Sequence, residues 1–206
     1  VQGLVTQPGR TAKWRLGWPG LDPAHPSLDI IDFDHSGSVT APGGTDPIGN
    51  RFREAARAIQ TVKRWTTTSN PKVAVIHFDQ PSMGNSGVVR LVNRGGMLRL
   101  HASLRQPAGA GTSDLGPSLT EAERLAVSYA DHDIRLTILS DFELTDNDST
   151  HVYERLAAFP GQVHAVVLNA EPPPELETDT ITITRVRYDD PPGALATAIH
   201  RSLTTN

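Results

Sequence analysis

Apolar positions along the chain alternate between two rhythms. Residues 28–33 form a short run rich in Ile and Phe that reads as a strand, ended by the turn-forming cluster Asp34, His35, Ser36, Gly37 and Ser38. A Pro/Gly-rich connector over 41–47 gives way to Ile48, Phe52, Ala55, Ile59 and Val62, spaced to make one apolar stripe on a helix. Strands are predicted at 73–78 and, more weakly, at 88–92 after a turn at 83–87. The stretch 94–111 is expected to be irregular, with an edge element around 97–104. A helix over 115–129 buries Leu119, Ala122, Leu125 and Tyr129 and accepts Pro117 in its first turn. A strand (134–139), a helix (150–159), two strands (163–168 and 180–186) and a final helix (192–203) complete the pattern. Such alternation implies right-handed crossovers and a doubly wound, mostly parallel central sheet with helices on both faces, a Rossmann-like α/β fold. In that architecture ligands bind beyond the carboxyl ends of the strands, where strand order reverses, so functional residues should follow strands directly.

Composition narrows the functions. A chain of 206 residues suits one domain; residues 1–27 are expected to be an extension packing on a domain that spans 28–206. The formal charge of -4 and the scattered basic residues exclude a nucleic-acid surface. Cysteine is absent, so neither disulfides nor thiolate metal sites arise, and the compartment stays open. No apolar run approaches the roughly 20 residues of a membrane span, so no membrane insertion of this stretch is expected. Only three of the 19 basic residues are lysines (Lys13, Lys63 and Lys72), a bias that points to a GC-rich bacterial source. The start at Val1 suggests a piece of a larger chain or complex.

Three loops carry hard oxygen donors: Asp34, Ser36 and Ser38 after the first strand, Thr112, Ser113 and Asp114 before the second long helix, and Asp141 after the strand ending at 139. One or two carboxylates with hydroxyls suit Mg²⁺, which takes six oxygens at about 2.0–2.1 Å and keeps some waters. Neutral hydroxyl ligands leave much of the ion's charge uncompensated, so it seeks an anionic last ligand.

The segment DFDHSGSV resembles the D-x-S-x-S signature of the metal-ion-dependent adhesion site in von Willebrand factor A-type (integrin I-like) domains. GTSDLGPSL resembles that family's second-loop motif, and LTILSD its strand ending in the site's aspartate. The resemblance covers residue 28 to the C-terminus. It implies a Mg²⁺-dependent protein-binding module, with Mn²⁺ or Ca²⁺ as substitutes, whose partner supplies an Asp or Glu carboxylate. Asp34 would anchor the ion, Ser36 and Ser38 would ligate it directly, and Asp141 would act through a metal-bound water. Either Thr112 or Ser113 would be the second-loop ligand, Ser113 by its register before Gly116. The resemblance implies no catalytic role.

Some residues invite other readings. Asp32, on the same strand face as Asp34, must be paired or hydrogen-bonded if buried; it is expected to be bonded to Ser, Thr or Arg, or else to support the metal site. Asp32 and Asp34 also fit the D-x-D of a haloacid dehalogenase-like Mg²⁺ phosphatase, but that chemistry needs a lysine in a late loop and none follows Lys72. Phe142 stands where relatives often have glycine and is expected on the rim, facing a partner. Glu143, Asp146 and Asp148 read as loop and helix-cap carboxylates rather than a second cation site, and the eight histidines have no metal-ligand spacing.

Overall fold

The computed structural model describes residues 16, 25–46, 49–65, 71–79, 84–107 and 111–204. Among them run β1 (Ser27–Phe33), α1 (Gly37–Thr40), α2 (Asn50–Trp65), β2 (Lys72–His77), β3 (Gly87–Arg90), α3 (Arg94–Ser103), α4 (Gly116–Ser128), β4 (Asp133–Ser140), α5 (Ser149–Ala157), β5 (Gln162–Leu168), β6 (Ile181–Val186) and α6 (Ala194–Thr204). Ile48, Met83 and nearly all of the 1–27 extension lie outside the described residues; Leu16 packs against the core.

The strands form one sheet in the order β3-β2-β1-β4-β5-β6, parallel throughout except for β3, which runs antiparallel to β2. The expected doubly wound α/β fold is therefore present. β1 is buried along its whole length, which is why its sequence is a continuous apolar run broken only by acids. Alternate residues serve opposite layers. Leu28 and Ile30 join Leu119, Ala122 and Leu125 of α4 and Leu156 of α5, whereas Ile31 and Phe33 join Phe52, Ala55 and Ile59 of α2 and Ile199 of α6. β2 lies on one side of β1 and β4 on the other, so the reversal of strand order falls between β1 and β4.

The stretch expected to be irregular is instead α3. Asn93 caps it by accepting from the Gly96 amide at 3.1 Å, and Gly96, Met97, Leu100 and Ser103 turn inward at helical spacing. Adjacent Gly95 and Gly96 hid this helix, because glycine lowers helix propensity by about 1 kcal/mol. Gly96 is there for contact: a Cβ on it would lie 2.7 Å from Val89 Cγ1 on β3.

This packing separates two neighbouring substitutions. Gly95→Ala, whose new methyl would meet only the Asn93 side chain at 3.5 Å, should leave stability unchanged or raise it by up to about 1 kcal/mol. Gly96→Ala should lower it by about 1–3 kcal/mol, because the branched Val89 has little freedom to move aside. Urea midpoints compare the two, and equal effects would contradict this account of α3.

Buried His164 bonds Thr184 Oγ1 at 2.8 Å, and burial, with Arg201 adding to it, pulls its imidazole down to about 4. The unfolded chain takes up this proton near pH 6.5, so the histidine's contribution to stability is present above that value and is lost as pH falls towards 4. The stability advantage of the native chain over His164→Gln should shrink between pH 7 and 5, by about 1 kcal/mol per unit in the steep part. A constant difference would contradict it.

Candidate metal centre

The end of β1 builds the first wall of the site. The Asp34 amide donates to the Leu139 carbonyl at 3.0 Å, extending the β1–β4 ladder by one step and setting Asp34 beside the end of β4. Its carboxylate is fully buried; Oδ1 accepts the Ser36 amide at 2.8 Å and Oδ2 the Ser140 hydroxyl at 2.6 Å. Ser36 stands at the N-cap position of the single-turn α1 without a side-chain capping bond, Ser38 sits within that turn, and the two hydroxyl oxygens lie 3.0 Å apart. Ser36 also pairs with Gly111, which brings the second loop alongside. A side chain at Gly111 would run into the His35 ring, so this close approach requires glycine. Within that loop Ser113 is buried, whereas Thr112 is exposed and its hydroxyl accepts from the Asp114 amide at 3.4 Å.

Asp141 is buried directly beyond β4. Its Oδ1 accepts the Glu143 amide at 3.1 Å, and its Oδ2 lies 3.5 Å from Thr45 Oγ1. Burial raises the Asp34 carboxyl above the usual carboxylate range; hydrogen bonds from Ser140 and Ser36 oppose the rise, and the negative charge of Asp141 adds to it. The fully buried Arg51 feels both carboxylates but is bonded to Asp46 at 2.9 Å, while its own burial pulls it below the usual arginine value.

The donor set fits a small hard divalent cation. Neighbouring ligands of an octahedral ion with metal–oxygen bonds of about 2.0–2.1 Å lie about 2.9 Å apart, and Ser36 Oγ and Ser38 Oγ are 3.0 Å apart. Two buried carboxylates with hydroxyls and no directly bonded cationic side chain present the excess negative charge that such an ion neutralises. Among the described residues no three His, Cys, Asp or Glu side chains converge as a metal cluster, so any ion here must draw on serine or threonine hydroxyls.

Ser140, Thr45, Asp46 and Arg51 were missed by the sequence reading. A serine closing the apolar run of β4 was the only signal available for Ser140. Arg51 and Glu54 interrupt the α2 stripe on its buried side, where a helix pattern gives no reason to expect charges.

Other expectations need correction. Phe142 is not on the rim. Its φ of +60° turns the ring inward, where it joins Val152 and Tyr153 in the core, and Tyr153 donates to its carbonyl at 3.1 Å. Asp32 is fully buried against the α4 layer; no hydrogen bond of regular geometry reaches its carboxyl oxygens among the described residues, and the groups that bear on it are the expected kind of partner, the Ser118 hydroxyl, and the Phe33 backbone. Burial pushes it up to about 8, the nearby Ser118 hydroxyl opposes this, and Asp34 adds to it. A fully buried carboxyl that no solvent reaches is a poor nucleophile, so the geometry does not favour the dehalogenase-like reading. Asp146 accepts the Leu115 and Gly116 amides at 2.9 and 2.8 Å, and Asp148 caps α5 through the His151 amide. Both are helix caps, as expected.

No family model and no curated protein matches the sequence. Solved structures do match the fold. BatB of Bacteroides thetaiotaomicron, described as a conserved hypothetical protein, superposes with a TM-score of 0.55 at 15% identity over 86% of this chain and 97% of its own. The SpRpn10 VWA domain gives 0.52 at 12% identity over 85% and 95%. The fold is that of the von Willebrand factor A-type domains. Proximal thread matrix protein 1 from the mussel byssus also shares this vWA-like fold, at 0.53 and 15% identity over 87% of this chain and 47% of its own. At these identities the likeness concerns the fold alone. In this chain the loops at the strand-order reversal of that fold carry Asp34, Ser36, Ser38, Ser113 and Asp141.

The buried Arg51–Asp46 pair packs under these loops, with the guanidinium 4.4 Å from the centre of the Phe52 ring. Arg51→Met leaves Asp46 buried without its cation, and should cost about 3 kcal/mol in urea unfolding. A loss within measurement error would mean that the α2 amides of Asn50 and Arg51, which Asp46 also accepts at 2.8 and 2.9 Å, satisfy it alone.

Proposed function

We propose that this vWA-type domain is a non-enzymatic protein-binding module that holds Mg²⁺, or Mn²⁺ or Ca²⁺ in its place, and through it captures an Asp or Glu of a partner protein. Asp34 would anchor the ion, Ser36 and Ser38 would ligate it, Ser113 or Thr112 would add the second-loop hydroxyl, and Asp141 would contribute the second carboxylate. Burial of Ser113 favours it over the exposed Thr112. The observation that carries this reading is the paired burial of Asp34 and Asp141 beside two hydroxyls at octahedral-edge spacing.

When bound, the ion would supply Lewis acidity towards an incoming carboxylate. The chain does the rest. Ser140 fixes the rotamer of Asp34 by its 2.6 Å hydrogen bond while its own oxygen accepts the Phe142 amide at 2.8 Å. The Ser36 amide and the Ser140 hydroxyl each occupy one acceptor site of the Asp34 carboxylate, which leaves acceptor capacity on both oxygens. Mostly neutral donors keep the ion short of charge, which favours an anionic partner over water.

Mn²⁺ titration followed by electron paramagnetic resonance tests this without any partner. The native chain should bind one ion, Asp34→Ala should abolish binding with the fold retained, and Ser140→Ala should weaken it roughly 10–100-fold, as expected for a group that orients a ligand. Binding of Mn²⁺ by Asp34→Ala at native strength would sink the proposal. The phosphatase alternative instead requires phosphate release that is lost in Asp32→Asn.

A further inference from the structure

A cavity of about 370 Å³ lies beside the site, at the carboxyl ends of β5 and β6 and under the first turn of α6. Leu168, Val186, Pro192 and Leu195 give it apolar walls, and Thr45 stands on its edge. Thr45 also lies 3.5 Å from Asp141, so the cavity and the candidate metal centre share a wall. Asp46, the buried charge on that wall, is already paired with Arg51.

The cavity is held by built-in contacts. Asn169 takes a φ of +49° at the end of β5; its amide donates to the Val186 carbonyl at 2.7 Å and its side-chain oxygen accepts the Tyr188 amide at 3.4 Å. Tyr188 is 63% exposed, yet its phenol is tethered to the Gly44 carbonyl next to Thr45. An exposed aromatic ring fixed at both ends therefore ties β6 to the loop that contacts Asp141. The volume is near the lower end of small-ligand cavities, roughly 300–1,000 Å³, which suits one or two side chains better than a cofactor.

We propose that this cavity is the specificity pocket of the metal centre: it takes an apolar side chain lying within two residues of the partner's metal-binding Asp or Glu. The reach follows from chain geometry, since a residue spans at most about 3.3–3.6 Å and the two sites meet at one threonine. The carboxylate supplies the bond to the ion, and the apolar neighbour selects among the many acidic residues on protein surfaces. This inference rests on the metal-dependent reading above.

Blocked pentapeptides separate the two claims. The probes are Gly-Gly-Asp-Gly-Gly and its four variants with Leu in place of one Gly, titrated into the ¹⁵N-labelled protein with Mg²⁺ or with EDTA. With Mg²⁺, at least one Leu variant should bind about tenfold tighter than the all-Gly peptide and shift the amides of Leu168, Val186 and Leu195. Ala194→Trp, at the cavity wall and away from the metal ligands, should erase that difference and keep the Mg²⁺ dependence. Equal binding of all five peptides in Mg²⁺ would overturn the pocket and leave the metal centre standing. Binding that survives EDTA or replacement of Asp by Asn would overturn the metal reading itself. Failure of every peptide to bind at millimolar concentration would overturn both.

Discussion

Negative charge confined at the reversal of strand order is the constraint around which the upper half of this domain is built. Asp34 and Asp141 follow adjacent parallel strands, both are buried, and the charge of Asp141 raises the cost of ionising Asp34. Water cannot screen them well in that setting, and the nearest buried cation, Arg51, is bonded to Asp46. What holds the carboxylates in place is a ring of neutral donors: the amides of Ser36 and Glu143 and the hydroxyl of Ser140. The register that sets Phe33 opposite Leu139 brings Asp34 beside Ser140, the residue directly before Asp141. A slip of one residue would send one of the two acids into a hydrophobic layer.

Backbone strain gathers at the same end. Asp79 after β2, Phe142 after β4 and Asn169 after β5 all have positive φ, and none is glycine. Asn and Asp tolerate that conformation; a phenylalanine does so at a cost of order 1 kcal/mol or more. Burial of the Phe142 ring among α5 residues offsets this. The sharp turn frees the chain to leave β4 immediately after Asp141, which keeps that carboxylate at the sheet's end rather than carrying it along an extended loop.

Much of the architecture was legible because each layer writes its own period. The stripe Phe52, Ala55, Ile59 and Val62 and the runs in β1, β2, β4 and β5 are long enough to outweigh local noise. α3 was not legible, since Gly95 and Gly96 serve a contact with β3 that no one-dimensional pattern expresses. The three loops of the candidate site could be picked out because their residue types sit directly after or before strongly periodic elements. The supporting residues could not. Ser140, Thr45 and Arg51 matter only through what they touch across 106, 96 and 5 positions of sequence, respectively. Phe142 was misjudged because its identity announces bulk, whereas its direction is set by one dihedral angle.

The margins of the sheet bear on how copies of the domain meet. One border is β3, a four-residue antiparallel segment that begins at Gly87 with a φ of +60° and ends at the exposed Arg90. The opposite border is β6, where Thr182 is exposed and Arg185 is paired with Glu171. A short ladder on one side and a charged, hydroxylated one on the other discourage growth by strand addition, a hazard of open parallel sheets. Crowded copies of this domain are thus directed away from fibril-like stacking.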